Sequence, residues 1–554
     1  MLIIMPSGSY YCYQKRCGIY FWGVNDHDAV WHLALAATSF LKWPFIMPIY
    51  SGVHLSGYNY MMDLFIYILN LLNIPIIFSY FKLLPLIWFS ILTVLAVLFA
   101  RKIKDSPIFI MWFLFFVYFG SSFGYVFTLY HNKSIAGSSG LLSMQSGHML
   151  TNMQYALSLV FLLLIFLILK EKLDFKKTVL LGILIFVNLG LKFYAGVVSL
   201  VLVYLFFLLK YLGSKNIFTF SNILFLLKNL TIVTIFFIAS LFIFFNPLSA
   251  AKTGSIFIFS PFATMHSLIE EPIFFYLKDM VNARYYLYAH SSLLHSPRLM
   301  AIELLSSLLF LFFSMRLRVL GVIYLLKKII RKQLSIFDTA VSLTAIFCYL
   351  FLVLFIQKGQ WWNVIQFYYY FLFFLNIYTA EFFYELTKEK RKNIFKGIVI
   401  FIAIFLTLPG NIDLIKNFAK FPADSYVSKE EIKGLNFLKK MPLGPVLTSL
   451  YEKKDGKIVY PQSLYLASDN SYVPAFSSKP VYLADPMVLQ ITGINYEKRY
   501  QRIKTNDCSL INEVSYIYQI KNENSLFFKT CLKKYSKNLI KIFENSTVII
   551  FNTK

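Results

Sequence analysis

The sequence predicts an all-α polytopic membrane domain over residues 1–420, with ten or eleven transmembrane helices, followed by a small soluble α/β domain over residues 421–554. Three observations predict it. Hydrophobic residues make up 58% of the chain and aromatics 19%, including 59 phenylalanines, more apolar surface than one water-soluble core can hide. The apolar residues come in runs long enough to cross a bilayer. Of the net charge of +26, residues 421–554 hold 19 Lys/Arg against 12 Asp/Glu, so an excess of 19 positive charges stays with the hydrophobic part, much of it in short loops. That distribution follows the positive-inside rule and suits anionic headgroups. No nucleic-acid-binding module accompanies the charge, so nucleic acid is not the partner it points to.

Residues 1–6, MLIIMP, read as the last turns of a hydrophobic span and not as a signal peptide, which needs a basic start and a longer apolar stretch. A first helix truncated at its start is therefore expected there. Residues 7–73 then form a polar and aromatic first outer loop. Within it, residues 28–40 have helical spacing, with Val30, Leu33, Ala34, Ala37 and Leu41 on one face. This predicts an amphipathic helix lying at the interface, ended by Pro44 and Pro48.

Spans follow at 74–100, 107–125, 151–169, 178–193, 195–210, 229–246, 299–314, 335–357, 361–386 and 393–410. The run 178–210 is too long for one crossing and is split at Lys192, between Gly190 and Gly196. The basic loops 101–104, 170–177, 210–215, 316–332 and 388–392 alternate onto one side, assigned as cytoplasmic. Residues 7–73, 126–150, 247–298, 357–363 and everything after 410 then share the opposite side.

In the C-terminal segment, Ser428 followed by Glu430 and Glu431 signals a helix start, with the helix running to about Lys440. Strand-like runs at 445–449, 471–476, 480–483, 513–520 and 546–552 predict roughly one layer of sheet. No glycine-rich phosphate loop is present. Cys348 lies in an apolar run as packing. Cys508 and Cys531 can pair if the segment lies outside the cytoplasm. Cys12 and Cys17 lack the neighbours of a zinc site.

The chemistry-bearing stretch is GVNDHDAVWH at 23–32 with GVHLSGYNYMMD at 52–63, which gathers Asp26, His27, Asp28, His32, His54 and Asp63 in a chain only 14% charged. Asp28 and His32, four apart, share a helix face. A partly desolvated carboxylate beside a histidine can serve as general base toward an acceptor hydroxyl or amine. It can equally hold a divalent cation, magnesium or manganese, together with His32 or His54. The structural alternative is helix capping by Asn25, Asp26 or Asp28. Asp63 faces apolar neighbours and needs a partner or a use. Elsewhere, Lys192, Arg284 and Lys358 are candidate phosphate-binding cations, against snorkelling or surface placement. Asn363 and Gln366 add hydrogen-bonding groups beside the aromatic turn that holds Trp361 and Trp362.

This arrangement resembles the GT-C class of integral-membrane glycosyltransferases, which includes the protein mannosyltransferases and the lipid A aminoarabinose transferase. FWGVNDHDAVWHLAL at 21–35, GYNYMMD at 57–63, KGQWWNVIQFYYY at 358–370 and YVPAFSSKPVYL at 472–483 resemble an uncharacterised bacterial branch of that class. The resemblance spans nearly the whole chain. It implies a protein of the bacterial cytoplasmic membrane that transfers a sugar from a polyprenyl-phosphate donor to a glycan, lipid or protein acceptor at the outer face. It also implies an acidic residue of the first outer loop as base or metal ligand, and Asp28 matches that position. Asp26 stands where the branch has a glycine and Asn59 where it has a histidine. Arg284, Lys192 or Lys358 would steady the leaving phosphate. The competing readings are a transporter or flippase of a lipid-linked or anionic substrate, which predicts internal repeats not found here, and a non-catalytic envelope scaffold.

Overall fold

The computed structural model describes residues 6–134, 144–214, 218–247, 256–293, 296–358, 360–388, 392–450, 460–467, 471–521, 525–535 and 539–553. Residues 1–5, on which the expectation of an earlier span rests, lie outside them. The fold is mostly helical, with small sheets. Contacts divide the chain into two compact units: Met1–Ile87 with Phe244–Thr253 and Asn417–Lys554, and Trp88–Ile243 with Gly254–Lys416.

The first unit differs from the expected separate domain after residue 420. A hairpin of β1 (Ser9–Tyr13) and β2 (Arg16–Phe21) turns through Gln14 and Lys15, both left-handed at φ 45° and 66°. A disulfide joins Cys12 and Cys17, which face each other across the hairpin. β2 then pairs antiparallel with Ser425–Ser428, which runs parallel to Gln462–Ser463. The C-terminal segment therefore shares a sheet with the first loop. A Cβ on Gly18 would run into the Val427 carbonyl, so only glycine lets the strands close. Gly18→Ala is expected to destabilise by about 1–3 kcal/mol through overpacking. The check is the denaturation midpoint of the detergent-solubilised chain, with Gly397→Ala, a helical position where nothing lies within 4 Å, as the control that should not destabilise. Equal midpoints for the two variants would remove this account of the sheet.

α1 (Asp28–Thr38) corrects the interfacial-helix expectation, because Ala29 through Thr38 are all buried. The apolar stripe was real, but Trp31, Leu35 and Ala36 make the other faces apolar as well, and a helix apolar all round belongs inside. At its end the Thr38 hydroxyl donates to the Pro474 carbonyl at 2.8 Å. Instead α2 (Met61–Leu71) presents an exposed apolar row, Phe65, Ile68 and Leu71. The helix Tyr472–Ser477, packed on α1, replaces the strand expected at 471–476. Pro474 explains it, since proline suits a first helical turn and interrupts a strand ladder.

The helix Lys429–Lys440 opens on the expected cap, as a reciprocal Ser428–Glu431 box. A second sheet runs Val446–Leu447, Tyr516–Ile520, Val548–Asn552 and Ile540–Glu544 in spatial order. Residues 480–483 contribute only a bridge at Val481. The Cys508–Cys531 disulfide is formed.

Among the described residues six helices are long and apolar enough to cross a membrane: Ile76–Ile103, Phe193–Leu212, Phe220–Phe244, Pro297–Met315, Ile336–Leu354 and Asn393–Lys416. The pairs Pro107–Phe119 with Gly124–Asn132, bent by 54°, and Gln145–Thr151 with Met153–Leu169, bent by 116°, raise this to eight if each is one span. Two further expected spans are helices of another kind. Phe175–Leu191 has 17 residues and stops at Lys192, whose extended backbone breaks the run as the sequence suggests. Ile365–Thr387 is buried along nearly its whole length, with Asn376, Thr379 and Glu381 among its buried residues, which makes it an inner helix of the second unit. The basic segment 316–332 is not a loop: Arg318–Ile330 is a helix, and Arg316 and Arg318 are buried.

Candidate functional site

The start of α1 and the loop before α2 build a site from two acid–histidine pairs. His27 occupies the N-cap position of α1 without a side-chain capping bond, so neither Asp26 nor Asp28 is the cap. Asp28, the first helical residue, turns its Oδ1 to His27 Nδ1 at 3.0 Å, and its side chain is 54% exposed. On the other edge of the ring, His27 Nε2 lies 3.4 Å from Oδ2 of buried Asp485. Burial disfavours the imidazolium, but the Asp28 and Asp485 carboxylates outweigh it and raise the His27 pKa to about 11.

One turn further along α1, His32 is buried with Nδ1 at 3.0 and 3.1 Å from the two oxygens of Asp63, itself 0% exposed. α2 places Asp63 inward while its apolar row faces out. Burial raises the Asp63 pKa, and His32 works against the rise. The Tyr58 hydroxyl lies 3.4 Å from His32 Nε2, with its ring edge-on to Trp31. Burial, then the charges of Asp63, Asp28 and Asp485, raise the Tyr58 pKa, so this phenol stays protonated among three carboxylates. The Tyr80 ring lies parallel to His32 at 6.2 Å.

Asp26 is half-buried, and burial followed by the Asp424 charge raises its carboxyl to about 6. His54 does not join the cluster: it is exposed and bridges Ile46 through its backbone. The cation expected between Asp28 and His32 has no ready cage, because Asp28 is turned to His27 and His32 to Asp63. Among the described residues no group of three or more His, Cys, Asp or Glu is placed to hold a metal ion.

Sequence reasoning passed over Asp485. It caps Pro486–Ile491, its Oδ1 accepting from the Val488 amide and its Oδ2 from the Ser471 hydroxyl, both at 3.2 Å. The Asp–Pro pair is a readable helix start, but nothing in the sequence ties it to His27, 458 positions earlier. Tyr58 and Tyr80 likewise carry no local signal of their role.

The remaining candidates lie in the second unit. Lys192 is buried between Phe175–Leu191 and Phe193–Leu212, where its charge reaches His148, whose ring stacks on Tyr369 at 4.1 Å. Two residues on, the Tyr194 hydroxyl donates to Gln357, which also accepts from Asn363 at 3.0 Å, and Gln366 donates to Asn363. Asn363 and Gln366 thus share one network, with Lys358 exposed beside Gln357. Arg284 corrects the phosphate-grip expectation. Its Nε meets Glu303 and its Nη1 meets Glu270, each at 2.9 Å, and His266 also pairs with Glu303, so the guanidinium neutralises two carboxylates of its own unit.

Comparison with protein-family models and with curated proteins gives no match to this chain.

Proposed function

We propose that this chain is a membrane glycosyltransferase of GT-C type, which moves a sugar from a polyprenyl-phosphate donor to an acceptor hydroxyl or amine, with Asp28 as base. The observation that carries this reading is the exposed Asp28 carboxylate, 3.0 Å from one ring nitrogen of His27, whose other ring nitrogen lies 3.4 Å from Asp485. The acceptor gives its proton to Asp28 as its oxygen or nitrogen bonds to the anomeric carbon. The bond from that carbon to the phosphate oxygen breaks, and the electron pair leaves with the polyprenyl phosphate. Beneath Asp28, the His32–Asp63 pair fixes the helix turn that presents it and holds Tyr58 close by. The apolar helices suit a donor whose tail stays in the bilayer. The two disulfides suit an extracytoplasmic position for the loop and the C-terminal segment.

The test compares envelope glycans by mass spectrometry from cells with the native chain, with its deletion, and with Asp28→Asn at matched expression. The deletion is expected to lose a sugar, which the native chain restores and Asp28→Asn does not. Full restoration by Asp28→Asn would remove Asp28 as base.

A further inference from the structure

Arg316 and Arg318 flank the break between the helices Pro297–Met315 and Arg318–Ile330, in a part of the second unit that the proposed reaction does not use. They are 3% and 1% exposed. Arg318 is fully engaged with neutral groups: Nε donates to Asn376 at 2.7 Å, Nη2 to Gln145 at 3.0 Å and Nη1 to the Ser121 carbonyl at 3.4 Å. Arg316 is not. Its Nη1 donates to the Ser121 hydroxyl and to the Thr407 carbonyl, while its Nε and Nη2 are buried and donate to nothing. Among the described residues no carboxylate pairs with either guanidinium; Asp413, the buried acid on the same helix as Thr407, is not among their partners.

Burial sharpens the problem. Asn376, which holds Arg318, is itself fully buried at the middle of Ile365–Thr387. Two neighbouring buried cations without a counter-charge are costly and point to a missing partner. The surroundings fit one. Ser121 lies in the bend between Pro107–Phe119 and Gly124–Asn132, Gln145 opens another bent pair, and Thr407 precedes Pro409 inside Asn393–Ala419. Interrupted helices that bring polar groups together at mid-membrane depth are a recurring way to build an ion site. The rings of Phe123 and Tyr125 cover the Arg316 guanidinium at 5.4 and 5.0 Å.

We propose that Arg316 and Arg318 anchor an oxyanion site inside the second unit, which takes a phosphate group. Nε and Nη2 form the edge of a guanidinium that binds two oxygens side by side, and in Arg316 that edge is the unused one. Arg318, locked by Asn376 and Gln145, supplies the second positive charge. The phosphate can come from a free ion or from a lipid headgroup, and the binding is measured without an acceptor, so it stands apart from the glycosyl-transfer reading.

The experiment is native mass spectrometry of the detergent-purified full chain, incubated with inorganic phosphate, with a polyprenyl monophosphate, or with the corresponding polyprenyl alcohol. The expected result is an adduct with at least one phosphate compound and none with the alcohol. Occupancy should fall at least tenfold in Arg316→Gln, and partly in Arg316→Lys, which keeps the charge and loses the fork. An adduct with inorganic phosphate assigns a free-ion site, and one with the polyprenyl monophosphate alone assigns a headgroup site. The proposal is overturned if the native chain binds neither phosphate compound, or if either variant, monodisperse on gel filtration, binds them as the native chain does. Should Arg316→Gln aggregate, the native titration and Arg316→Lys decide.

Discussion

Asp63→Ala should cost the protein about 3 kcal/mol of stability, because it strands a buried imidazole nitrogen with no acceptor. His32 and Asp63 are 4% and 0% exposed, so bulk solvent does not reach the pair. The pair also joins α1 to α2, and its loss loosens the turn that presents Asp28. A double-mutant cycle with His32→Ala isolates the interaction. A coupling of about 1–3 kcal/mol is expected, as for contacting residues in one network. Chemical denaturation of the four detergent-solubilised proteins supplies it. A coupling near zero would mean that the two residues are buried independently and that the dyad has no structural role. Sugar transfer by Asp63→Asn, which keeps the shape, should survive better than transfer by Asp63→Ala.

Stability should also fall as pH rises above neutrality, through His27. In the unfolded chain its pKa is about 6.5, and in the folded protein it is raised to about 11. The stabilisation by Asp28 and Asp485 is therefore complete below about pH 6.5 and is lost as pH climbs through about 11. Asp28 is more than half exposed, so solvent screens its share, and the whole effect should be about 1–2 kcal/mol. His27→Gln removes the titrating group, so the native and variant stability curves should converge between pH 7 and pH 10. Curves that stay parallel over that range would show that no proton on His27 is linked to folding. Proposed activity should follow the same limb, since a neutral His27 no longer holds the Asp28 carboxylate in place by charge.

The parts of this fold that follow from local chemistry were legible in the sequence. Lys192 was expected to interrupt an apolar run, and Ser428 with Glu431 to open a helix; both do so. The stretch at 23–32 announced itself by placing acids and histidines in an apolar chain. What was not legible depends on partners far away in sequence. β1 and β2 looked like loop because their pairing partner, Ser425–Ser428, is some 400 positions later. α1 looked interfacial because the helix that buries its second side, Tyr472–Ser477, is equally distant. For the same reason the site had two of its carboxylates, Asp28 and Asp63, in plain view and the third, Asp485, hidden. Arg284 looked like a ligand-binding cation because Glu270 and Glu303 were not visible as its partners.

The sheet that unites β2 with Ser425–Ser428 fixes the order in which the protein can be completed. At a synthesis rate of about 5–20 residues per second, the strand that closes it emerges roughly 20–80 seconds after the hairpin. Throughout that interval β2 has an open edge, and α1 waits without the helix that covers it. The second unit, built almost entirely from the intervening residues, can assemble first. Completion of the first unit, and with it the meeting of His27 with Asp485, therefore waits for the C-terminal segment to be made. A chain halted anywhere before residue 425 lacks both the strand that closes the sheet and the Asp485 that faces His27.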